Sequence, residues 1–227
     1  MIRIAVIGLG RFGMSLARNL QRHGAQVIAI DRSLNLVDEI KDDVDLAVRL
    51  DSTDEAALRI QEIDKVDICA VAIGENFESA LLTTVIAKRL GVPKIVCRAQ
   101  TEFHAEIFRQ IGADDVIQPE LEAGDHLARN LANPHVEDFI TLADGYTLIE
   151  LHAPKVFQSK TLETLGLRSK YGVNLVAIKR LVTVEHDGET VESREVISVP
   201  KADDLIQPDD VLVLVGSDES LSKLPKE

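Results

Sequence analysis

The 227 residues suffice for two modest domains, and 45% hydrophobic with 28% charged residues is the composition of an ordinary globular protein. The formal net charge of −13 argues against nucleic acid or an anionic membrane surface as the main partner, because such binding needs clustered lysine and arginine. Any phosphate site must therefore be local.

No apolar stretch approaches the length of a membrane span, so direct insertion into a membrane is not expected. The first apolar run begins at Ile2 and leaves no room for a signal peptide. We therefore expect a cytoplasmic protein.

The start of the chain carries a dinucleotide-binding pattern. An apolar run at 2–7 ends in the glycine turn Gly8–Gly13, which reads Gly-Leu-Gly-Arg-Phe-Gly, and a helical pattern follows at 11–23. A second apolar run at 26–30 ends in Asp31. This order predicts a Rossmann-like nucleotide site, in which a strand is followed by Gly-x-Gly-x-x-Gly, a helix, a second strand and an acid.

Each glycine of this turn has its own role. Gly8 permits the tight turn, Gly10 lets the backbone approach a phosphate, and Gly13 lets the helix lie close to the strand. The free amides and the positive end of the helix favour a phosphate there. Asp31 is placed to accept hydrogen bonds from ribose hydroxyls, and we include Phe12 with the turn among the candidate nucleotide-binding residues.

The alternation of apolar runs and helical patterns continues to residue 118. The further predicted strands lie at 45–49, 66–72, 94–98 and 115–118, and the further predicted helices at 33–41, 53–60, 75–90 and 102–111. Six strands separated by helices indicate an α/β fold, a doubly wound parallel sheet that is covered on both faces. Cys69 and Cys97 fall inside two of these runs and are predicted to be buried free thiols.

Polar residues follow the predicted strands, at the sheet edge where ligands bind in such folds. The residues that we single out there are Asp31, Arg32, Asp51, Ser52, Gly74, Arg98 and Glu120. Each alone is uninformative, since a residue such as Ser52 is more often a helix cap than a ligand. Their convergence on one edge of one sheet favours a nucleotide site.

Charged residues near the predicted phosphate site leave alternatives open. Arg11 lies in the first turn of a helix, where a cation is disfavoured, so it either extends into solvent or binds a nucleotide di- or triphosphate. Asp31 favours an unmodified ribose over a 2′-phosphate, although adjacent Arg32 weakens that preference. Glu120 either binds a bridging metal ion or is a charge in the first turn of the next helix.

A further helical pattern runs from Gln118-Pro119 to Asn133-Pro134. Its apolar stripe contains Leu121, Gly124, Leu127, Ala128 and Leu131. This helix either covers its own sheet or packs on a partner subunit, and its small residues Gly124 and Ala128 favour the second option.

Beyond Pro134 the pattern becomes that of a smaller, strand-rich α+β domain, so we predict the domains 1–134 and 135–227. The predicted elements of the second domain are a hairpin turning at Asp144-Gly145, a helical segment at 162–171, a strand at 175–178, a polar turn at 185–189 and a strand at 211–216.

The sequence contains no recognisable catalytic constellation. Its histidines fall in no paired, metal-spaced or triad-like setting, and neither tyrosine has a lysine four residues on. No serine or cysteine lies in a nucleophile-elbow context. Because a hydride-transfer enzyme needs an acid–base group, we expect a protein that is not an enzyme.

Several motifs resemble the RCK (TrkA-type) family, and within it the KtrA-type cytosolic regulatory subunits of bacterial potassium uptake systems. These motifs are Ala5–Gly13, Val71–Gly74 with Leu82–Thr84, Ile111–Asp114, Val116–Glu120, and Lys170–Gly172 with Val176–Lys179. The likeness covers nearly the whole chain. The glycine turn and Pro119-Glu120 are its more specific parts.

The resemblance implies a Rossmann-like lobe that binds ATP or ADP, a crossover helix and a C-terminal regulatory lobe. It implies homodimers that assemble into an octameric ring and dock on a potassium-translocating membrane subunit of the KtrB or TrkH type, at the inner face of the membrane. By position, Arg11 would contact the phosphates, Asp31 the ribose, and Glu120 a divalent or monovalent cation near the γ-phosphate. Ring spacing that depends on the γ-phosphate would then gate the membrane partner.

Two other functions remain open: an NAD(H)-responsive regulator of the TrkA type and, less favoured, an NAD-dependent oxidoreductase. Family members also bind cyclic di-AMP between paired C-terminal lobes. Here the long acidic segment 182–198 disfavours a second anion unless Lys179 and Arg180 face it, and we assign no site there.

Overall fold

The computed structural model describes residues 1–186, 189–197 and 199–225. The chain divides into two compact units, Met1–Glu122 and Ala123–Glu227. This division falls within the helix that follows residue 118, whereas the sequence placed a domain boundary at the end of that helix. The boundary after residue 134 stays a prediction.

The first unit is a six-stranded parallel sheet with a helix after each of its first five strands. Its strands are β1 (Arg3–Ile7), β2 (Gln26–Asp31), β3 (Leu46–Arg49), β4 (Ile68–Val71), β5 (Lys94–Arg98) and β6 (Asp115–Ile117). The helices between them are α1 (Arg11–Arg22), α2 (Leu34–Ile40), α3 (Glu55–Ile60), α4 (Phe77–Arg89) and α5 (Glu102–Gln110). The strand order β3-β2-β1-β4-β5-β6 confirms the predicted doubly wound, Rossmann-like sheet.

Alternate residues of the central strands fill two separate cores, one on each face of the sheet. Along β1, Ala5 and Ile7 pack with residues of α3, α4 and α5, whereas Ile4 and Val6 pack with residues of α1 and α2. A strand that is buried on both faces has no polar positions, which explains why the central strands read as continuous apolar runs.

Cys69 and Cys97 lie in β4 and β5 and are buried free thiols, which confirms the prediction. Burial raises the pKa of Cys69 to about 12 and that of Cys97 to about 11. The Sγ atom of Cys97 also lies 3.3 Å from Oγ1 of Thr84. Both thiols are therefore protonated at neutral pH.

Because the thiolate is the reactive form, we expect neither cysteine of the native protein to react with Ellman's reagent at pH 8. At that pH about 0.1% of a thiol of pKa 11 is ionised. The same protein in guanidinium chloride should release two equivalents of chromophore at the rate of free cysteine. A thiol of the folded protein that reacted at that rate would contradict the buried assignment.

The second unit is built on a five-stranded antiparallel sheet. Its strands are β7 (Val136–Ala143), β8 (Tyr146–His152), β9 (Asn174–His186), β10 (Glu189–Ile197) and β11 (Val211–Ser217), in the order β10-β9-β11-β8-β7. The remaining helices are α6 (Pro119–Ala132), α7 (Leu162–Leu165), α8 (Leu167–Tyr171) and α9 (Asp218–Ser222). This architecture confirms the predicted α+β domain. The predicted polar turn at 185–189 includes residues 187 and 188, which lie outside the described residues.

Two basic residues of β9 form ion pairs within the second unit. Lys179 Nζ donates to Oε1 of Glu150 at 2.6 Å. The Arg180 guanidinium donates to both carboxylate oxygens of Asp210, at 2.8 and 2.7 Å, and Asp210 is fully buried. The charges of Lys179 and Arg180, on which a second anion site would depend, are thus neutralised by carboxylates of the same unit.

The helix α6, all of which the structure describes, buries none of its residues. Its apolar residues Leu121, Leu127 and Leu131 are 63%, 58% and 74% exposed. Among the described residues, no helix has both the length and the apolar character that crossing a membrane requires.

Candidate nucleotide-binding site

A cleft of about 650 Å³ opens at the carboxyl ends of the parallel strands of the first unit. It lies at the centre of the sheet, where the strand order reverses between β1 and β4, which is where ligands bind in open α/β sheets. The predicted site residues that line it are Gly8, Gly10, Arg11, Phe12, Asp31, Arg32, Asp51, Ser52, Gly74, Arg98 and Glu120. The structure thus brings together all the site residues predicted from the sequence except Gly13. Gly13 does not line the cleft and lies against the Gly8 carbonyl.

The glycine turn leaves the start of α1 open towards the cleft. Gly8 has φ +97°, in the left-handed region, and its amide donates to the Ile30 carbonyl at 2.8 Å. At Gly10, which caps α1 without a side chain, an added Cβ would meet no atom within 4 Å. At Gly13 an added Cβ would lie 1.8 Å from the Gly8 carbonyl oxygen. The first amides of α1 are therefore available to an anion.

The carboxylate of Asp31 ties the turn to the end of β2. Its Oδ2 accepts a hydrogen bond from the Leu9 amide at 2.7 Å, and its Oδ1 accepts one from the Ser33 amide at 2.8 Å. Each carboxylate oxygen can accept a further hydrogen bond, so Asp31 can still bind ribose hydroxyls. The carboxylate also holds the glycine turn in place, a role that the sequence pattern did not indicate.

The guanidinium of Arg98 lies against the turn after β4 and the start of α1. An added Cβ on Gly74 would be 2.0 Å from Arg98 Nη1, and Arg98 Cζ lies 5.9 Å from the centroid of the Phe12 ring. Arg98 Nη2 donates a hydrogen bond to Oε1 of Glu120. Its Nε is buried and has no hydrogen-bond partner among the described residues.

The partner of Glu120 in this structure is a guanidinium. Its own backbone amide and Arg98 lower the pKa of Glu120, so the carboxylate is ionised at neutral pH. Magnesium and calcium take several oxygen ligands, and one carboxylate supplies at most two of them. In the described part of the chain, no three His, Cys, Asp or Glu side chains cluster to hold a metal ion.

Two polar residues after β3 are engaged with their neighbours. Asp51 Oδ1 accepts hydrogen bonds from the amide and the hydroxyl of Thr53, at 2.9 and 2.7 Å, and these bonds lower the pKa of Asp51. Ser52 does not cap the following helix, as its position suggested, because Asp54 does. The buried Ser52 hydroxyl instead lies 2.7 Å from the hydroxyl of Thr83 on α4.

Two arginines lie at the rim of the cleft. Arg11 and Arg32 both line it and both are exposed. Within the described part of the chain, no side chain forms an ion pair with Arg11. Arg11 therefore lies at the mouth of the cleft, where an anion could bind it, and both alternatives for its role stay open.

Several residues of the cleft were not predicted from the sequence. These are Ser33, Leu36, Ser79 and Gln100. Gln100 follows β5 by two residues, so its position after a strand was a usable signal. Ser79 lies in the first turn of α4, and nothing in the pattern of that helix distinguishes it.

The chain matches two family models, the TrkA-N domain over residues 4–119 and the TrkA-C domain over residues 146–227. It is 37% identical to the Ktr system potassium uptake protein C of Bacillus subtilis (strain 168), over 98% of this chain and 95% of that protein. It is 34% identical to the Ktr system potassium uptake protein A of the same organism, over 99% of this chain and 96% of that protein.

Among solved structures, the fold is similar to that of the GsuK RCK domain. That crystal structure superposes with a TM-score of 0.55 at 23% identity, over 97% of this chain and 45% of that chain. The present chain thus spans less than half of that chain. At this identity the similarity shows the shared fold.

Proposed function

The chain belongs to the TrkA-type family of proteins that join a TrkA-N to a TrkA-C domain, and we propose that it is a nucleotide-sensing regulatory subunit of a membrane potassium transporter. The observation that carries this proposal is the cleft at the switch point of the sheet, where free helix amides, a carboxylate and three arginines converge. The similarity to Ktr potassium uptake proteins over nearly the whole length supports potassium as the transported ion.

The proposed ligand is ATP or ADP. The amides at the start of α1 would bind a phosphate, and Arg11 and Arg98 would neutralise the charge of a di- or triphosphate. Asp31 would accept hydrogen bonds from the ribose. A nicotinamide dinucleotide has no terminal phosphate, so it would make less use of Arg11 at the rim of the cleft.

The cation predicted at Glu120 belongs to this proposal as well. Since no three His, Cys, Asp or Glu side chains of the described residues cluster to hold a metal ion, most ligands of such an ion would have to be phosphate oxygens and water. Arg98 contacts Oε1 of Glu120, so Oε2 is the oxygen that could bind the ion while the pair stays formed.

The proposed assembly is a homodimer that forms an octameric ring, which docks on a potassium-translocating membrane subunit of the KtrB or TrkH type. The exposed apolar stripe of α6 supports packing on another subunit, and Gly124 and Ala128 on that stripe permit close helix–helix approach. The ring would lie at the cytoplasmic face of the membrane. ATP and ADP would gate transport only as far as they bind two ring shapes with different affinity.

A second candidate ligand is NAD(H), because an acid at the end of β2 next to Gly-x-Gly-x-x-Gly is typical of NAD sites. With either ligand the protein would be a regulator of potassium transport. It would respond to adenine nucleotides in the first case and to NAD(H) in the second.

Isothermal titration calorimetry of the full chain with ATP, ADP and NADH tests the proposal. We expect both adenine nucleotides to bind with low micromolar affinity or better. Mass spectrometry of the purified protein under native conditions should identify an adenine nucleotide that co-purifies with it. Binding of NADH without binding of ATP would contradict the proposal and favour the alternative.

A further inference from the structure

The two partners of the Arg98–Glu120 ion pair are held very differently. The Arg98 side chain is 17% exposed, whereas that of Glu120 is 67% exposed. Packing against Gly74 and Phe12 fixes the guanidinium, while the carboxylate lies in the first turn of α6, largely in solvent. If the pair separates, Glu120 is the partner that moves.

The fixed guanidinium is also close to the start of α1. Phe12, whose ring centroid lies 5.9 Å from Arg98 Cζ, is the second residue of that helix. A phosphate bound to the first amides of α1 is therefore near Arg98. Such a phosphate carries at least as much charge as a carboxylate and offers several oxygens to a guanidinium, so it is the stronger competitor for Arg98.

We propose that the Arg98–Glu120 ion pair is a latch, which a nucleotide polyphosphate opens by taking the Arg98 guanidinium from Glu120. In the closed latch Glu120 neutralises Arg98 and joins the end of β5 to the start of α6. In the open latch Arg98 binds phosphate and the start of α6 is released from β5. This inference rests on the proposed function, since it names how the same site responds to its ligand.

The latch gives α6 a connection to the nucleotide. Glu120, the second residue of the helix with the exposed apolar stripe, forms an ion pair with Arg98 in the cleft. This ion pair would be lost when another anion binds Arg98.

Replacing Glu120 by glutamine removes the competitor for Arg98 and tests the latch. In buffer that contains EDTA, where no divalent cation contributes, calorimetry should show that E120Q binds ATP about fivefold to tenfold more tightly than the unsubstituted chain. The matched control is E75Q. Glu75 also lines the cleft but forms no ion pair among the described residues, so its loss should change the affinity about twofold at most.

A double-mutant cycle assigns the effect to the pair. In an R98Q background, E120Q should change the affinity no more than E75Q does. If R98Q does not fold, G74A replaces it, because the three atoms nearest to the added methyl carbon all belong to the Arg98 guanidinium, which would be displaced from Glu120. Tightening by E120Q that persisted in these backgrounds would overturn the latch.

The remaining outcomes separate the two proposals. If the unsubstituted chain binds ATP and E120Q binds it equally or more weakly in EDTA, the latch is wrong and the proposed function stands. If the unsubstituted chain binds neither ATP nor ADP, the proposed function fails and the latch fails with it.

Discussion

Replacing Gly13 by alanine is expected to lower the free energy of unfolding of the first unit by about 3 kcal/mol and to abolish nucleotide binding. The added methyl carbon would lie 1.8 Å from the Gly8 carbonyl oxygen and 3.0 Å from the carbonyl carbon. Both atoms belong to the backbone of the glycine turn, so no side-chain rotation relieves the overlap. The turn and the start of α1 must separate, which displaces the amides that would bind phosphate.

Gly10→Ala is the matched control for this substitution. Gly10 has φ −63° and ψ −176°, which alanine adopts without strain, and an added Cβ would meet nothing within 4 Å. Urea unfolding followed by circular dichroism should therefore show a change within about 0.5 kcal/mol for Gly10→Ala. Its methyl group faces the cleft, so nucleotide affinity should fall while stability is kept. Equal stability of the Gly13→Ala protein and the Gly10→Ala protein would contradict the close approach of turn and helix.

Replacing Arg11 by alanine should weaken ATP binding about 10- to 100-fold, because a hydrogen bond between charged groups contributes about 1.5–3 kcal/mol. The exposed Arg11 side chain makes no ion pair within the described part of the chain, so its removal leaves no buried group unsatisfied and the fold should be unaffected. NADH, which lacks a terminal phosphate, should lose less than about threefold.

Arg22→Ala, at the other end of α1, changes the net charge by the same amount and serves as the control. Arg22 lies in the last turn of the helix, far from the amides at its start, so its loss should leave the affinity for either nucleotide within about twofold. Calorimetry with ATP and NADH on both variants gives the comparison. Equal losses for ATP and NADH in the Arg11→Ala protein would favour the NAD(H)-responsive alternative.

The fold of the first unit could be predicted because the sequence indicates both where its strands lie and where its helices end. Burial on both faces makes each central strand a continuous apolar run, and β5 was predicted with its observed bounds of 94–98. Glycines with positive φ end several helices, as Gly24, Gly91 and Gly112 do. The candidate site followed from the rule that ligands bind beyond the carboxyl ends of the strands, which needs no knowledge of side-chain contacts.

The contacts within the site could not be predicted, because they depend on the register of neighbouring strands and on tertiary packing. Arg98 and Glu120 are 22 residues apart, and they meet because Arg98 pairs with Ile117 across β5 and β6. Ser52 had the position of a helix cap, but its hydroxyl contacts Thr83 on another helix. Local propensity is overridden in such cases by partners that are distant in sequence.

The two hydrogen bonds that Asp31 accepts, from Leu9 and Ser33, mean that the glycine turn is preorganised. If the proposed nucleotide binds there, little conformational entropy would be lost in ordering this loop. Association should be limited by diffusion and orientation, with no slow closing step in this loop. Under the proposed function, the structural response to the ligand would then begin in the charged side chains around the phosphates, Arg98 and Glu120 among them.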